Sequence, residues 1–196
     1  MTEDLPRVQV ESREQWRAWL AEHHATSSGI WLVTWKKGHG PALTYDEIVD
    51  EALCVGWVDS QPRTVDEGRS RRLLTPRRPG SNWSRVNKER VERLTAAGLM
   101  LPAGLAAVER ARADGTWTAL DAVENLTEPD DLRAALDAVP TARSQWEGFP
   151  RSARRAILEW IQAARTAPTR TRRIDQTVSE AAVGRRANQW RQPKGG

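Results

Sequence analysis

The chain has 196 residues and a formal net charge of +4, and it is 39% hydrophobic and 29% charged. This composition predicts one or two folded domains and excludes an intrinsically disordered chain. No apolar run approaches the roughly 18 residues that cross a membrane, so we expect no integral membrane segment. Cys54 is the only cysteine, which excludes an internal disulfide and favours a cytoplasmic location.

The first elements predicted are a helix, a strand and a second helix. Residues 12–24 place Trp16 and Leu20 on one helical stripe. Residues 29–36 are β-branched and aromatic, which indicates a strand. A second helix is predicted from Thr44, a capping residue, to Gly56, where a glycine ends it.

A β-hairpin and then a series of helices follow. Residues 57–65 and 69–76 read as two strands around a turn at 66–68. The pattern then becomes helical, with helices predicted at 84–97, 102–114, 129–138, 141–147, 151–166 and 169–183. The fold class is therefore α+β: a small N-terminal antiparallel sheet with flanking helices, followed by an all-α C-terminal helical module.

Three segments are predicted from this order. Residues 1–100 form an α+β module with a Trp- and Arg-bearing cleft, residues 101–183 form a helical module, and residues 184–196 form a basic flexible tail. The loop around 116–128 has the composition best suited to a domain boundary.

Charge alternates along the chain in four blocks. Residues 1–61 and 94–140 each carry a net charge of −5, whereas residues 62–93 carry +6 and residues 141–196 carry +8. The basic blocks can bind an anionic partner, or the acidic blocks can cover them.

The stretch ALCVGWVDSQPR suggests a polar and aromatic pocket. Trp57 and Asp59 are two residues apart on a predicted strand, so they point to the same face. An indole and a carboxylate together suit a cationic or hydroxylated ligand. In the alternative interpretation Trp57 packs in the core and Asp59 hydrogen-bonds a turn. A half-buried Asp59 needs a partner, for which Arg63, Arg77 and Lys36 are the candidates.

The stretch TPRRPGSNWSRVN is the second candidate site. Arg77 and Arg78 precede a Pro-Gly turn and a helix start, a combination that can bind a phosphate or carboxylate with Ser84 and Asn87 as further donors. Simple helix capping is the alternative.

Motifs of catalysis and cofactor binding are missing from the sequence. Cys54 has no base at a diagnostic position and reads as a buried structural thiol. His23, His24 and His39 lack metal-ligand spacing. No glycine-rich phosphate loop and no nucleophile elbow occurs, so we assign no catalytic residue, no metal and no cofactor.

Five segments, GIWLVTWKK, LTYDEIVDEALCVGWVDS, LLTPRRPGSNWSRVNKERVERLTAAGLM, PDDLRAALDAVP and APTRTRRI, resemble the bacteriocin-protection YdeI/OmpD-associated family in this order. The resemblance implies a cytoplasmic bacterial protein linked to protection against bacteriocins or cationic antimicrobial peptides. It supplies no catalytic residues. The positions that match the family's motifs, and that we take as candidate ligand-binding residues, are Trp31, Lys36, Tyr45, Glu51, Cys54, Trp57, Asp59, Arg77, Trp83, Ser84 and Asn87.

Three functions remain open at this level. The first is a protection factor that binds a small amphipathic molecule or peptide, with stacking by the tryptophans, cation recognition by Asp59 and Glu51, and anion recognition by Arg77. The second is an enzyme that uses Tyr45, Lys36 and the same carboxylates as acid-base groups. The third is binding of nucleic acid or another anionic partner through the basic C-terminal helices. The sequence favours binding over catalysis.

Overall fold

The computed structural model describes residues 3–188 and divides into two compact units, residues 1–119 and 120–196. The division lies inside the connection predicted around 116–128. The N-terminal module was expected to end at residue 100 instead. The difference arises because the helix of residues 102–113 contributes its apolar face to the core of the first unit.

The first unit contains four strands and four helices. In chain order these are β1 (Arg7–Gln9), α1 (Arg13–His23), β2 (Ile30–Trp35), α2 (Tyr45–Cys54), β3 (Trp57–Thr64), β4 (Arg69–Pro76), α3 (Arg85–Ala96) and α4 (Pro102–Ala113).

The sheet has the strand order β1-β2-β4-β3. The β3–β4 hairpin and the β2–β4 pair are antiparallel, as predicted, whereas β1 runs parallel to β2. The sequence analysis missed β1 because three residues are too few to show a periodic pattern. Its parallel direction follows from α1, which carries the chain back across the sheet before β2. The predicted α+β class is confirmed.

Two clusters of buried side chains form the core of the first unit. In one, Trp16 and Leu20 of α1 pack with Ile30 and Leu74 of the sheet. The other cluster joins α2 to α3 and α4; its members include Leu53, Leu94 and Val108. Helix α2 belongs to both clusters, since its residues 48–54 are all buried. This central position of α2 fixes the start of β3, where the candidate site lies.

The second unit is all-helical in its described residues. It contains α5 (Asp121–Glu124), α6 (Asp130–Asp137), α7 (Pro140–Gly148), α8 (Arg151–Gln162) and α9 (Ala167–Ala182). Its core is centred on side chains with no exposed area, namely Leu132, Leu136, Trp146, Ile157 and Ile161. The short α5 was not predicted from the sequence.

Acidic neighbours pair with much of the positive charge of the second unit. Arg143 bonds Glu128 at 2.9 Å, and Arg170 bonds Asp131 at 2.6 Å. Arg155 lies 3.7 Å from Glu124. The acidic block before residue 140 therefore covers part of the basic block after it. The predicted basic tail is described only as far as Asn188, and residues 189–196 lie outside the described residues.

Candidate functional site

The chain turns sharply between α2 and β3, and this turn places Trp57 at the edge of the core. Gly56 has a φ of +75°, a backbone conformation that suits glycine. The carbonyl of Cys54 accepts a hydrogen bond from the Leu101 amide at 2.9 Å, so the residue before α4 is held against the end of α2. The indole of Trp57 is 1% exposed, and its Nε1 donates to the carbonyl of His24 at 3.3 Å.

Arg77 follows β4 and is held beside this turn. Its amide donates to the Gly56 carbonyl at 3.0 Å. Its guanidinium lies 3.8 Å from the centre of the Trp83 ring, and its Nη1 donates to the carbonyl of Asn82 at 3.0 Å. Both interactions fix the position of the cation without neutralising its charge.

The Arg77 guanidinium is buried without a carboxylate partner among the described residues. The residue is 9% exposed, and its Nε makes no hydrogen bond. Burial lowers the pKa of Arg77 to about 10, and the more distant charge of Asp59 opposes this shift only in part. The group remains protonated at neutral pH, so a buried positive charge is left uncompensated.

A cavity of about 230 Å³ lies against Trp57 and Arg77. Val55, Ala103 and Ala106 give it apolar walls, and the exposed Arg110 of α4 supplies a second cation. We call this space the Arg77 cavity. It combines apolar surface with two arginine residues, an arrangement that suits a small molecule with one apolar part and one acidic group.

The two units match two different family models. Residues 8–107, just over half of the chain, match the model described as a domain of unknown function (DUF8412). The chain belongs to this family. Residues 125–184 match the model described as Bacteriocin-protection, YdeI or OmpD-Associated. No curated protein and no solved structure matches the chain.

The second match confirms the resemblance to the YdeI/OmpD-associated family for helices α6–α9 and links the chain to bacteriocin protection through the family description. The resemblance was expected to extend over the N-terminal segments too, but this family model matches only residues 125–184. The N-terminal segments quoted for the same resemblance fall in the DUF8412 match. The Arg77 cavity is therefore a feature of the DUF8412 unit.

Within the DUF8412 unit, the acidic block of residues 1–61 covers much of the basic block that follows it. Asp59 forms an ion pair with Arg72 at 2.9 Å. The partners predicted from the sequence, Arg63, Arg77 and Lys36, do not form an ion pair with it in the described residues. Glu3 bonds both Arg63 and Arg71. In the β3–β4 pair Asp59 lies opposite Leu74 and Arg72 lies opposite Pro62, with a register shift between Asp59 and Pro62. The sequence gives no sign of this shift, so Arg72 was missed as the partner of Asp59.

Two more buried carboxylates join helices of this unit. Asp50 accepts hydrogen bonds from Arg90 and Arg93 of α3, both at 2.9 Å. The neighbouring Glu51 accepts from arginines of α1. The charges of Asp50 and Glu51 are therefore neutralised inside the unit. Arg77 differs from them because it has no oppositely charged partner among the described residues.

The eleven candidate residues do not form one cleft. Trp57 and Arg77 line the Arg77 cavity, and the guanidinium of Arg77 lies over the Trp83 ring. Ser84 and Asn87 form the cap of α3, where the Asn87 amide donates to Ser84 Oγ at 3.4 Å. They act as the helix cap that was the alternative interpretation of this stretch.

The remaining candidates occupy separate places. Trp31 lies on the face of the sheet opposite Ile30, beneath the guanidinium of Arg71 at 4.2 Å. Lys36 donates to the carbonyls of Asp66 and Glu67 in the hairpin turn. Cys54 is buried, and burial raises the pKa of its thiol to about 11.

Tyr45 and Asp59 form a second small group. The guanidinium of Arg72 lies 4.6 Å from the Tyr45 ring and also bonds Asp59. Partial burial and then the nearby Asp59 charge raise the pKa of Tyr45. Of the four acid-base groups proposed for an enzyme, only these two lie together.

The described residues contain no group of three or more His, Cys, Asp or Glu side chains placed to hold a metal ion. Within the same part of the chain, no helix is long and apolar enough to cross a membrane. Arg110 lines the Arg77 cavity and is absent from the candidate residues chosen from the sequence. Its position more than thirty residues after Arg77 gives no sequence signal, since α4 reaches the cavity only through tertiary packing.

Proposed function

We propose that this chain is a cytoplasmic binding protein of the YdeI/OmpD-associated type that takes part in bacteriocin protection. Its ligand is a small amphipathic molecule with an acidic group, held in the Arg77 cavity. The observation that carries this proposal is Arg77, a residue that lines the cavity and whose buried guanidinium has no carboxylate partner among the described residues.

Burial of the positive charge of Arg77 has an unfavourable free energy. A buried charge without a partner is unfavourable, and an anion that pairs with it recovers part of this cost. A carboxylate or phosphate in the cavity can accept hydrogen bonds from the guanidinium, which still has an unpaired Nε. Arg110 lies at the same cavity and adds a second favourable charge.

The remaining lining residues determine the size and shape of the apolar part of the ligand. Val55, Ala103 and Ala106 present small aliphatic surfaces beside the edge of Trp57. A cavity of about 230 Å³ suits a small aromatic or branched aliphatic group rather than a folded polypeptide. Asp59 and Glu51 take no part in this proposal, because arginines of the protein already pair with them.

The test compares two probes that differ in charge and little else. Isothermal titration calorimetry of the full chain with phenylacetate and with its neutral amide, phenylacetamide, should show binding of the carboxylate only. Replacing Arg77 by methionine should weaken phenylacetate binding about 10- to 100-fold, the effect of losing a charge-assisted hydrogen bond.

Arg78→Met is the matched control, since Arg78 is the next residue and is exposed. It removes the same charge from the same loop and should leave the affinity nearly unchanged. Equal binding of the amide, or equal weakening in both variants, would show that Arg77 does not recognise an anion. Absence of phenylacetate binding together with absence of phenyl phosphate binding would reject the cavity as a ligand site.

A further inference from the structure

Helices α3 and α4 enclose a groove on the first unit, away from the Arg77 cavity lining. Both helices pack on α2, with Val91 of α3 and Val108 of α4 in one buried cluster. Between them lies an open space of about 370 Å³. We call it the α3–α4 groove.

The floor of the α3–α4 groove is apolar. Val91, Ala96, Leu105 and Val108 line it, and Leu105 is 40% exposed to solvent. An exposed leucine next to buried valines gives a continuous apolar strip that a partner's apolar side chains can cover. The lining runs from Val91 to Ala96 on α3 and from Leu105 to Arg112 on α4, which is about 8 to 11 Å at 1.5 Å per residue.

The groove also carries two carboxylates without partners. Glu92 on α3 and Glu109 on α4 make no ion pair or hydrogen bond with any described residue. This distinguishes them from Asp50, Glu51 and Asp59, which are all paired with arginines. Two unpaired negative charges beside one apolar strip favour a partner that presents positive charges on both sides of an apolar face.

One cation lies at the same groove, and the Trp117 ring holds it. The guanidinium of Arg112 is 5.1 Å from the centre of that ring. It forms no salt bridge with Glu109 within the described part of the chain. The carboxylates of the groove therefore remain available to a partner.

We propose that the α3–α4 groove binds a cationic amphipathic helix, of which about two turns lie along the lining. The apolar face of the partner helix lies on the apolar strip. Its lysine or arginine side chains lie beside Glu92 and Glu109. This proposal goes beyond the small-molecule function proposed above and uses none of the same residues.

Fluorescence anisotropy with labelled peptides tests the proposal on the full chain. The probe is a peptide of leucine and lysine with helical spacing, about four turns long. It should bind at least about tenfold more tightly than a peptide of the same composition with alternating spacing. A helical peptide with glutamate in place of lysine should not bind.

The double variant Glu92→Gln, Glu109→Gln should weaken binding of the cationic helix about five- to tenfold, the combined effect of two partly exposed ion pairs. The double variant Glu67→Gln, Glu89→Gln removes the same charge outside the groove and should not change the affinity. Leu105→Ala should weaken binding, whereas Val86→Ala, an exposed position on α3, should not.

The Arg77→Met variant should bind the peptide normally, so failure of the small-molecule proposal and failure of the groove proposal are distinguishable. An equal loss of peptide affinity in both glutamine double variants would show nonspecific attraction to negative charge. That result would overturn the proposal that the groove is the binding site. Equal affinity for the alternating peptide would overturn the requirement for a helix. Concentration-dependent dimerisation that Leu105→Ala abolishes would assign the groove to a second copy of the chain and also overturn the proposal.

Discussion

Arg17 and Glu51 form a two-point ion pair that joins α1 to α2. Arg17 Nε donates to Glu51 Oε2 at 2.8 Å, and Arg17 Nη2 donates to Oε1 at 2.7 Å. Arg13, one helical turn earlier, donates to the same Oε1 at 2.6 Å. Glu51 is 3% exposed, so its charge is stable in the folded protein only because two guanidiniums surround it. The pair holds the helix that fixes the start of β3.

Replacing Glu51 by glutamine should lower the free energy of unfolding at pH 7 by about 2 kcal/mol. This value lies below the range for a fully buried pair because the side chains of Arg13 and Arg17 are 31% and 53% exposed. Urea unfolding followed by circular dichroism measures it. Glu89→Gln is the control, and we expect it to change stability by less than about 0.5 kcal/mol.

The Glu51 contribution should disappear in acid. Burial acts to raise the pKa of Glu51, but the hydrogen bonds and charges of Arg17 and Arg13 together lower this pKa below its ordinary value of 4.5. The unfolded chain therefore takes up the proton first as the pH falls, and the stabilisation is lost between pH 4.5 and the lower folded pKa. The stability difference between the wild type and Glu51→Gln should narrow over this interval. A constant difference down to pH 3 would contradict the assigned cause.

Gly104→Ala should destabilise the first unit by more than about 2 kcal/mol. A Cβ atom at Gly104 would lie 2.3 Å from the carbonyl oxygen of Cys54, so α4 would have to move away from α2. Gly148→Ala is the matched control, since nothing lies within 4 Å of a Cβ at that position of α7. We expect that control to be neutral or slightly stabilising. Thermal unfolding of both variants measures the difference, and similar melting temperatures would contradict this close approach.

The Cys54 thiol should be unreactive in the folded protein. Burial, and then the charge of Glu51, raises the pKa of Cys54 to about 11, so almost no thiolate exists at pH 8. Labelling with a disulfide reagent should be at least about 100-fold slower than for glutathione and should reach the ordinary thiol rate in denaturant. Rapid labelling of the native chain would show that the thiol is accessible and ionised.

Tyr45 is the only tyrosine, so ultraviolet difference absorbance can follow its ionisation alone. Its pKa should lie above 10 because of partial burial and the nearby Asp59 carboxylate. Asp59→Asn should lower this pKa by removing the negative charge, whereas Glu89→Gln should leave it unchanged. An unaltered titration in Asp59→Asn would show that the two groups do not interact.

The sequence alone predicts the secondary structure of this protein well where local patterns are long. The capping residue Thr44, with Glu47 three residues later, marks the start of α2, and both capping hydrogen bonds are present. The hairpin of β3 and β4 follows from two short segments around the polar turn at residues 66–68. Neither β1 nor α5 has enough residues to show a period, and both were missed.

The candidate site could be predicted only in part. The sequence placed Trp57 with Asp59 in a site for a cationic or hydroxylated ligand and Arg77 in a second, anion-binding site, whereas Trp57 and Arg77 line one cavity. Their separation from Trp31 and Lys36 depends on which face of the sheet each side chain occupies and on the hairpin turn. The binding functions remain proposals.

The sequence by itself determined the α+β class, the helix starts and the alternation of acidic and basic blocks, because propensity, capping and charge are local properties. Only the tertiary structure decided which charges are neutralised. Asp50, Glu51 and Asp59 meet arginines through helix packing and strand register, whereas Arg77 is buried beside Trp83 and forms no ion pair with a carboxylate of the described residues. Whether a buried charge has a partner depends on strand register and on contacts between residues far apart in the chain, which the local sequence pattern does not give.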